Sequence, residues 1–145
     1  MDRFTSIERE LFIEADPEVV FAVISQPDHV KEWFPDDAEY PVEPGGTGHL
    51  TFRNDTGDTV AVEALTIVAV EYPTKFAFTW AEGLLVTFTL ERVSGGTLLR
   101  FAETGFRELG WDDAKVADRY HDHLGGWNQI LPRLAPYAAG VGAAS

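Results

Sequence analysis

Ala15-Asp16-Pro17-Glu18-Val19-Val20-Phe21 and His123-Leu124-Gly125-Gly126-Trp127 stand at opposite ends of the chain, and together they decide the fold. In the first stretch Asp16 offers an N-cap oxygen, Pro17 fits the first helical turn, and Glu18 suits the positive helix end. The helix they start carries Val19, Val20, Phe21, Val23 and Ile24. Pro27-Asp28 restarts a second short helix with Val30, Trp33 and Phe34 as its apolar stripe, and Pro35 closes it. The second stretch belongs to a longer helix. From Asp112 onward Val116, Tyr120, Leu124, Trp127, Leu131 and Leu134 recur every three or four residues, which makes one helical face. Asp112, Asp113 and Asp118 favour its N-terminal half. Gly125-Gly126 weakens that helix by roughly 1 kcal/mol per glycine relative to alanine. Either close approach of helix to sheet or room for a ligand beside Trp127 would offset this. Pro132 is expected to kink the helix or end its regular part, and Ala138 to Ser145 to fray, leaving an ordered core of about residues 5–137.

Between the two stretches the pattern switches to period two. Ile7, Leu11 and Ile13 share one parity while Glu8 and Glu10 take the other, as in a half-buried strand. Pro44-Gly45-Gly46 and the segment Asn54 to Asp58 are turns that bracket a strand through Leu50 and Phe52. Thr59 to Val70 is a β-branched run that favours strand despite its length. Phe76, Phe78 and Trp80 alternate with Ala77 and Thr79, and Glu82-Gly83 turns the chain. Val86, Phe88 and Leu90 then alternate with Thr87, Thr89 and Glu91. After Ser94-Gly95-Gly96, Leu99, Phe101 and Glu103 alternate with Leu98, Arg100 and Ala102. Short turns between successive strands imply an antiparallel meander. With no internal repeat or linker, residues 1–145 read as one α+β domain. It is a curved antiparallel sheet with two short N-terminal helices and one long C-terminal helix over an internal cavity.

Glu103 breaks the pattern. It shares parity with Leu99 and Phe101, so it should point to the apolar concave side, where an isolated carboxylate is costly. Two readings stand. Glu103 sits near the strand end and reaches water or pairs with Arg9 or another base, or it is a polar anchor for a ligand among apolar walls. Trp33 and Phe34 are likewise either core packing or an aromatic flap over the pocket mouth. His123 lies one residue from the apolar stripe and is either a surface or core histidine or a group edging into the pocket with Tyr120. The candidate walls are Phe78, Trp80, Phe88, Phe101 and Trp127, the candidate lid is Trp33 and Phe34, and Glu103, Tyr120 and His123 are the candidate polar contacts.

Other chemistry is mostly excluded. The chain has no cysteine, so disulfides, thiolate metal sites and cysteine nucleophiles are absent. Its histidines are His29, His49, His121 and His123. The last two point to different helix faces, so no metal site is expected. No phosphate loop or nucleophile elbow occurs, and no cofactor is implied. The acidic group Asp36, Asp37 and Glu39 reads as a solvated loop. A net charge of −13 would repel nucleic acid and anionic membranes. No long apolar run is present and Met1-Asp2-Arg3 opens no signal pattern, so a cytoplasmic protein is expected.

The order and spacing of these motifs resemble the activator of heat-shock protein 90 ATPase homologue-like family, within the START (SRPBCC) helix-grip superfamily. The residues that carry the likeness are Ala15, Pro17 and Glu18; Trp33 and Phe34; Gly45 and Gly46; Thr79 and Trp80. Further along they are Gly96 and Thr97; Gly105 and Phe106; Gly126 and Trp127. The likeness spans about residues 5–137, and Asp16 between Ala15 and Pro17 is its one departure. The resemblance implies a helix-grip fold and, from the superfamily's range, non-covalent binding of a small hydrophobic or aromatic molecule. Its alternatives are a cyclase- or hydrolase-like enzyme acting on a polyketide-like or ester substrate, with Glu103 or His123 as acid or base, and a co-chaperone-type module with a chaperone partner. Fold alone does not decide among them.

Overall fold

The sheet runs from edge to edge in the order β1 (Ser6–Ile13), β7 (Gly96–Thr104), β6 (Leu84–Val93), β5 (Lys75–Trp80), β4 (Thr59–Glu71), β3 (Thr47–Arg53) and β2 (Asp37–Glu39), every neighbouring pair antiparallel. In this computed structural model, residues 3–144 are described; Met1 and Asp2 of the opening stretch and Ser145 of the tail lie outside the described residues. Helices α1 (Pro17–Ser25) and α2 (Pro27–Val30) join β1 to β2 across the concave face, and α3 (Asp113–Ala144) closes it. This is the α+β helix-grip arrangement that the sequence implies. Among the described residues no helix is long and apolar enough to cross a membrane.

The core lies between the concave face and the helices. Ile7, Ile13, Phe76, Phe78, Val86, Phe88, Leu99 and Phe101 all keep their expected parity and are buried, and Leu65 and Ile67 of β4 are buried with them. A bulge in β4 between Ile67 and Ala69 restores alignment with β5, so that Val70 pairs with Phe76. Ala77 is also buried, although it lies outside the core cluster and pairs with Ala69 and Thr87.

The ends of α1 differ from expectation in an instructive way. Asp16 occupies the N-cap position, but its side chain caps nothing; it faces Arg92, which also forks onto Glu18 at 2.7 and 2.9 Å. At the other end Trp33 Nε1 donates to the Val23 carbonyl at 3.0 Å, and Tyr40 Oη donates to the Ser25 carbonyl at 2.7 Å. Those carbonyls belong to the last turn of α1, where no intrahelical donor reaches them. Trp33 is thus held inside by a hydrogen bond as well as by packing.

Helix α3 departs most from its sequence reading. It runs through both Pro132 and Pro136 to Ala144 rather than ending near the first. The two prolines are four residues apart and both exposed, so the carbonyls they leave without donors lie on the solvent side, where water can serve them. The tail does not fray within the described residues. Ala138 is fully buried, and Gly142 packs so close to Ala15 that an added Cβ would lie 3.2 Å from the Ala15 Cβ. Asp37 and Glu39, read as loop, instead form the short edge strand β2 beside β3.

Candidate functional site

Glu103 is completely buried near the end of β7, and its carboxylate is fully engaged. Trp80 Nε1 from β5 donates to Oε2 at 2.8 Å, and Trp127 Nε1 from α3 donates to Oε1 at 2.9 Å. His123 Nδ1, one helical turn before Trp127, lies 2.9 Å from Oε1 and 3.0 Å from Oε2. Indole nitrogens can only donate, so both oxygens already act as acceptors. The proton between Glu103 and His123 therefore lies on Nδ1, the more basic partner. Arg9, the base suggested by the sequence, turns elsewhere and donates to Asn128 Oδ1 at 3.1 Å. The carboxylate finds its partners among a histidine and two tryptophans, one ring from the sheet and two from the helix.

Fixing Nδ1–H determines what His123 offers outward. Among the described residues no buried side-chain nitrogen or oxygen lacks a partner, and Nε2 has none, so Nε2 meets solvent. Burial of the ring pulls the His123 pKa down. The hydrogen bond and charge of Glu103 outweigh that, helped by Asp122 and Glu63, and hold it above its ordinary value of 6.5. When protonated His123 presents an Nε2–H donor; when neutral it presents a lone pair, because Glu103 keeps the other nitrogen protonated.

His123 opens onto a cleft of about 300 Å³ between the middle of α3 and the ends of β3, β4 and β5. Phe34, Phe52, Trp80 and Trp127 form its aromatic floor, with Ile130 and Gly126 along the helix and Glu63 and Asp122 at the rim. The rings interlock: Phe34 lies 4.9 Å from Trp127 and 5.3 Å from Trp80 between centroids, and Phe52 lies 6.2 Å from Trp80. Gly126 decides between the two readings of the double glycine. A Cβ at either Gly125 or Gly126 would meet nothing within 4 Å, so the pair leaves space rather than permitting close contact.

The sequence candidates thus divide. Phe34, Trp80, His123 and Trp127 line the cleft, and Glu103 lies sealed behind them. Trp33, Phe78, Phe88 and Phe101 are packed in the core, and the enclosed void beside Trp33, Phe78 and Phe88 measures only about 10 Å³. Room for a ligand is therefore at the edge of the grip rather than beneath it. Tyr120 sits apart, donating to the Ser6 carbonyl at 3.1 Å and packing on Phe4 and Phe106. Phe52, Glu63, Asp122 and Ile130 went unrecognised in the sequence. Parity carried the signal for two of them: Phe52 follows Leu50, and Glu63 precedes Leu65 and Ile67, always two residues apart.

A hollow of about 390 Å³ on β1, β6 and β7 is larger than the cleft and about as open, but charged and polar side chains make up most of its lining and Phe101 is its one aromatic ring. Among its charged groups, Arg100 is paired with Glu10 and Glu91. Among the described residues no three histidine, aspartate or glutamate side chains converge as a metal site would require.

No curated protein matches the chain. Solved structures share its fold. An AHSA1-like protein from Aeromonas hydrophila is 23% identical, with a TM-score of 0.74 over 94% of each chain. A protein from Mesorhizobium loti is 24% identical, with a TM-score of 0.73 over 91% of this chain and 95% of that one. One from Nitrosomonas europaea is 13% identical, with a TM-score of 0.79 over 97% of each. The family model described as "Activator of Hsp90 ATPase homolog 1-like protein" matches residues 14–139, nearly the whole fold and all of the cleft, and the chain belongs to that family.

Proposed function

We propose that this protein binds a small hydrophobic or aromatic molecule in the cleft between α3 and the sheet, with His123 as its polar contact. The observation that carries the reading is the meeting of four aromatic rings and one solvent-facing imidazole nitrogen in a single concavity. At about 300 Å³ the cleft is at the small end of the roughly 300–1,000 Å³ usual for ligand sites, which favours a compact molecule. The enzyme alternative rests on His123 alone, because Glu103 has no exposed surface with which to touch a substrate.

The indole N–H groups make a site-specific assay. The four tryptophans give four indole N–H resonances, and those of Trp80 and Trp127 border the cleft while Trp33 and Trp111 do not. A panel of compact aromatic alcohols and ketones should shift the first two and leave the others in place. Gly126→Leu, which fills open space, should abolish those shifts in a protein that remains folded. Shifts that persist in Gly126→Leu would remove the cleft as the binding site.

A second reading, the protein-interaction module, gains from one feature. Val60, Val62 and Val68 of β4 are exposed by 62%, 58% and 49%, a row of apolar side chains that isolated solubility does not require. If that row serves a chaperone partner, the protein should stimulate an Hsp90 ATPase, and Val60→Lys with Val62→Lys should remove the stimulation.

A further inference from the structure

We propose that the ligand of this cleft is an organic cation, a compact ammonium compound whose aromatic or alkyl body lies on the aromatic floor. The proposal rests on the ligand-binding reading above and adds the charge of the ligand. Electrostatics around the cleft carry it. Of the lining residues, Glu63 and Asp122 are acidic and none is lysine or arginine. His123 is the one lining group that can be positive, and its charge is matched by the Glu103 carboxylate directly behind it. The rim therefore keeps an uncompensated negative field in a chain whose net charge is −13.

The placement of Glu63 supports a role in binding. It shares the concave parity of Leu65 and Ile67, and it pairs across the sheet with Leu50. A carboxylate at such a position faces the floor rather than the outer solvent. Asp122, next in sequence to His123, lines the same cleft from α3. Among the described residues neither acid is joined to a lysine or arginine, and both act on His123 through space. Below them lie Phe34, Phe52, Trp80 and Trp127, whose ring faces attract cations, Trp most strongly. An ammonium group between the two carboxylates would be drawn by both acids and by the rings. A carboxylate ligand would meet two like charges, and the one cation it could approach, the His123 imidazolium, already has its charge matched by Glu103.

The test uses three probes of similar size: benzyltrimethylammonium, benzyl alcohol and phenylacetate. Each is titrated while the Trp80 and Trp127 indole N–H resonances are followed, at about 0.02 M and about 0.5 M salt, where screening lengths differ severalfold. The cation should bind tightest and the anion weakest, with about a tenfold span at low salt that shrinks at high salt. The Glu63→Gln, Asp122→Asn double variant should erase the order, bringing the affinities of the cation and the anion together. Equal affinities, a preference for phenylacetate, or a cation preference that survives in the double variant would overturn the charge assignment and leave the cleft reading standing. If none of the three probes moves either resonance, both readings fall.

Discussion

Replacing Glu103 by glutamine tests the centre of the structure. The side chain is fully buried and receives N–H groups from Trp80, Trp127 and His123 within 2.8–3.0 Å. Glutamine keeps the shape but has one carbonyl oxygen where three donors converge, and its NH₂ group points a donor at a donor. At least one ring N–H is left without an acceptor, and His123 loses its counter-charge. Breaking a buried charged pair costs about 3–5 kcal/mol, a large part of the roughly 5–15 kcal/mol that holds a domain folded. Glu103→Gln should therefore fold but lose about that much stability.

Its pH dependence has a definite sign. His123 has a folded-state pKa raised above its ordinary 6.5, so folding favours the imidazolium. That contribution is complete below the unfolded value and disappears as pH rises through the folded one. Glutamine removes its main source. The gap between wild type and variant should be widest near about pH 6 and narrower near about pH 9, by chemical denaturation at each. The His123 ring should also titrate lower in the variant, since burial then acts with less opposition. A cost below about 1 kcal/mol, or a gap that widens with pH, would refute the pairing argument.

Two further substitutions separate other parts of the argument. Gly125→Ala should raise stability by about 1 kcal/mol, read as a higher melting temperature, because its Cβ enters open space on a helix. Trp127→Phe preserves most of the ring packing but removes the donor to Oε1, and should cost about 1–3 kcal/mol in denaturant unfolding.

How much of this was legible depended on whether one period or two had to be read at once. Strand parity alone put Glu103 inside, since β7 alternates without a bulge and Leu99 and Phe101 fix the face. Identifying its partners required the rotational phase of α3 relative to β5 and β7, which no single element records. The partners were also disguised by chemistry. Trp80 and Trp127 count as apolar in any pattern, yet each delivers a polar N–H from an otherwise hydrophobic ring. Glu63 was legible by the same parity rule as Glu103, but the β-branched composition of its strand drew the reading away from its faces. The helix tail failed for a different reason. Alanine and glycine signal flexibility when nothing touches them, and here their smallness lets α3 settle against Ala15 at the start of α1. The same residue type thus leaves space at Gly125 and Gly126 and permits contact at Gly142. Only the neighbour across the gap distinguishes the two, and that neighbour lies more than a hundred residues away in the sequence for Gly142.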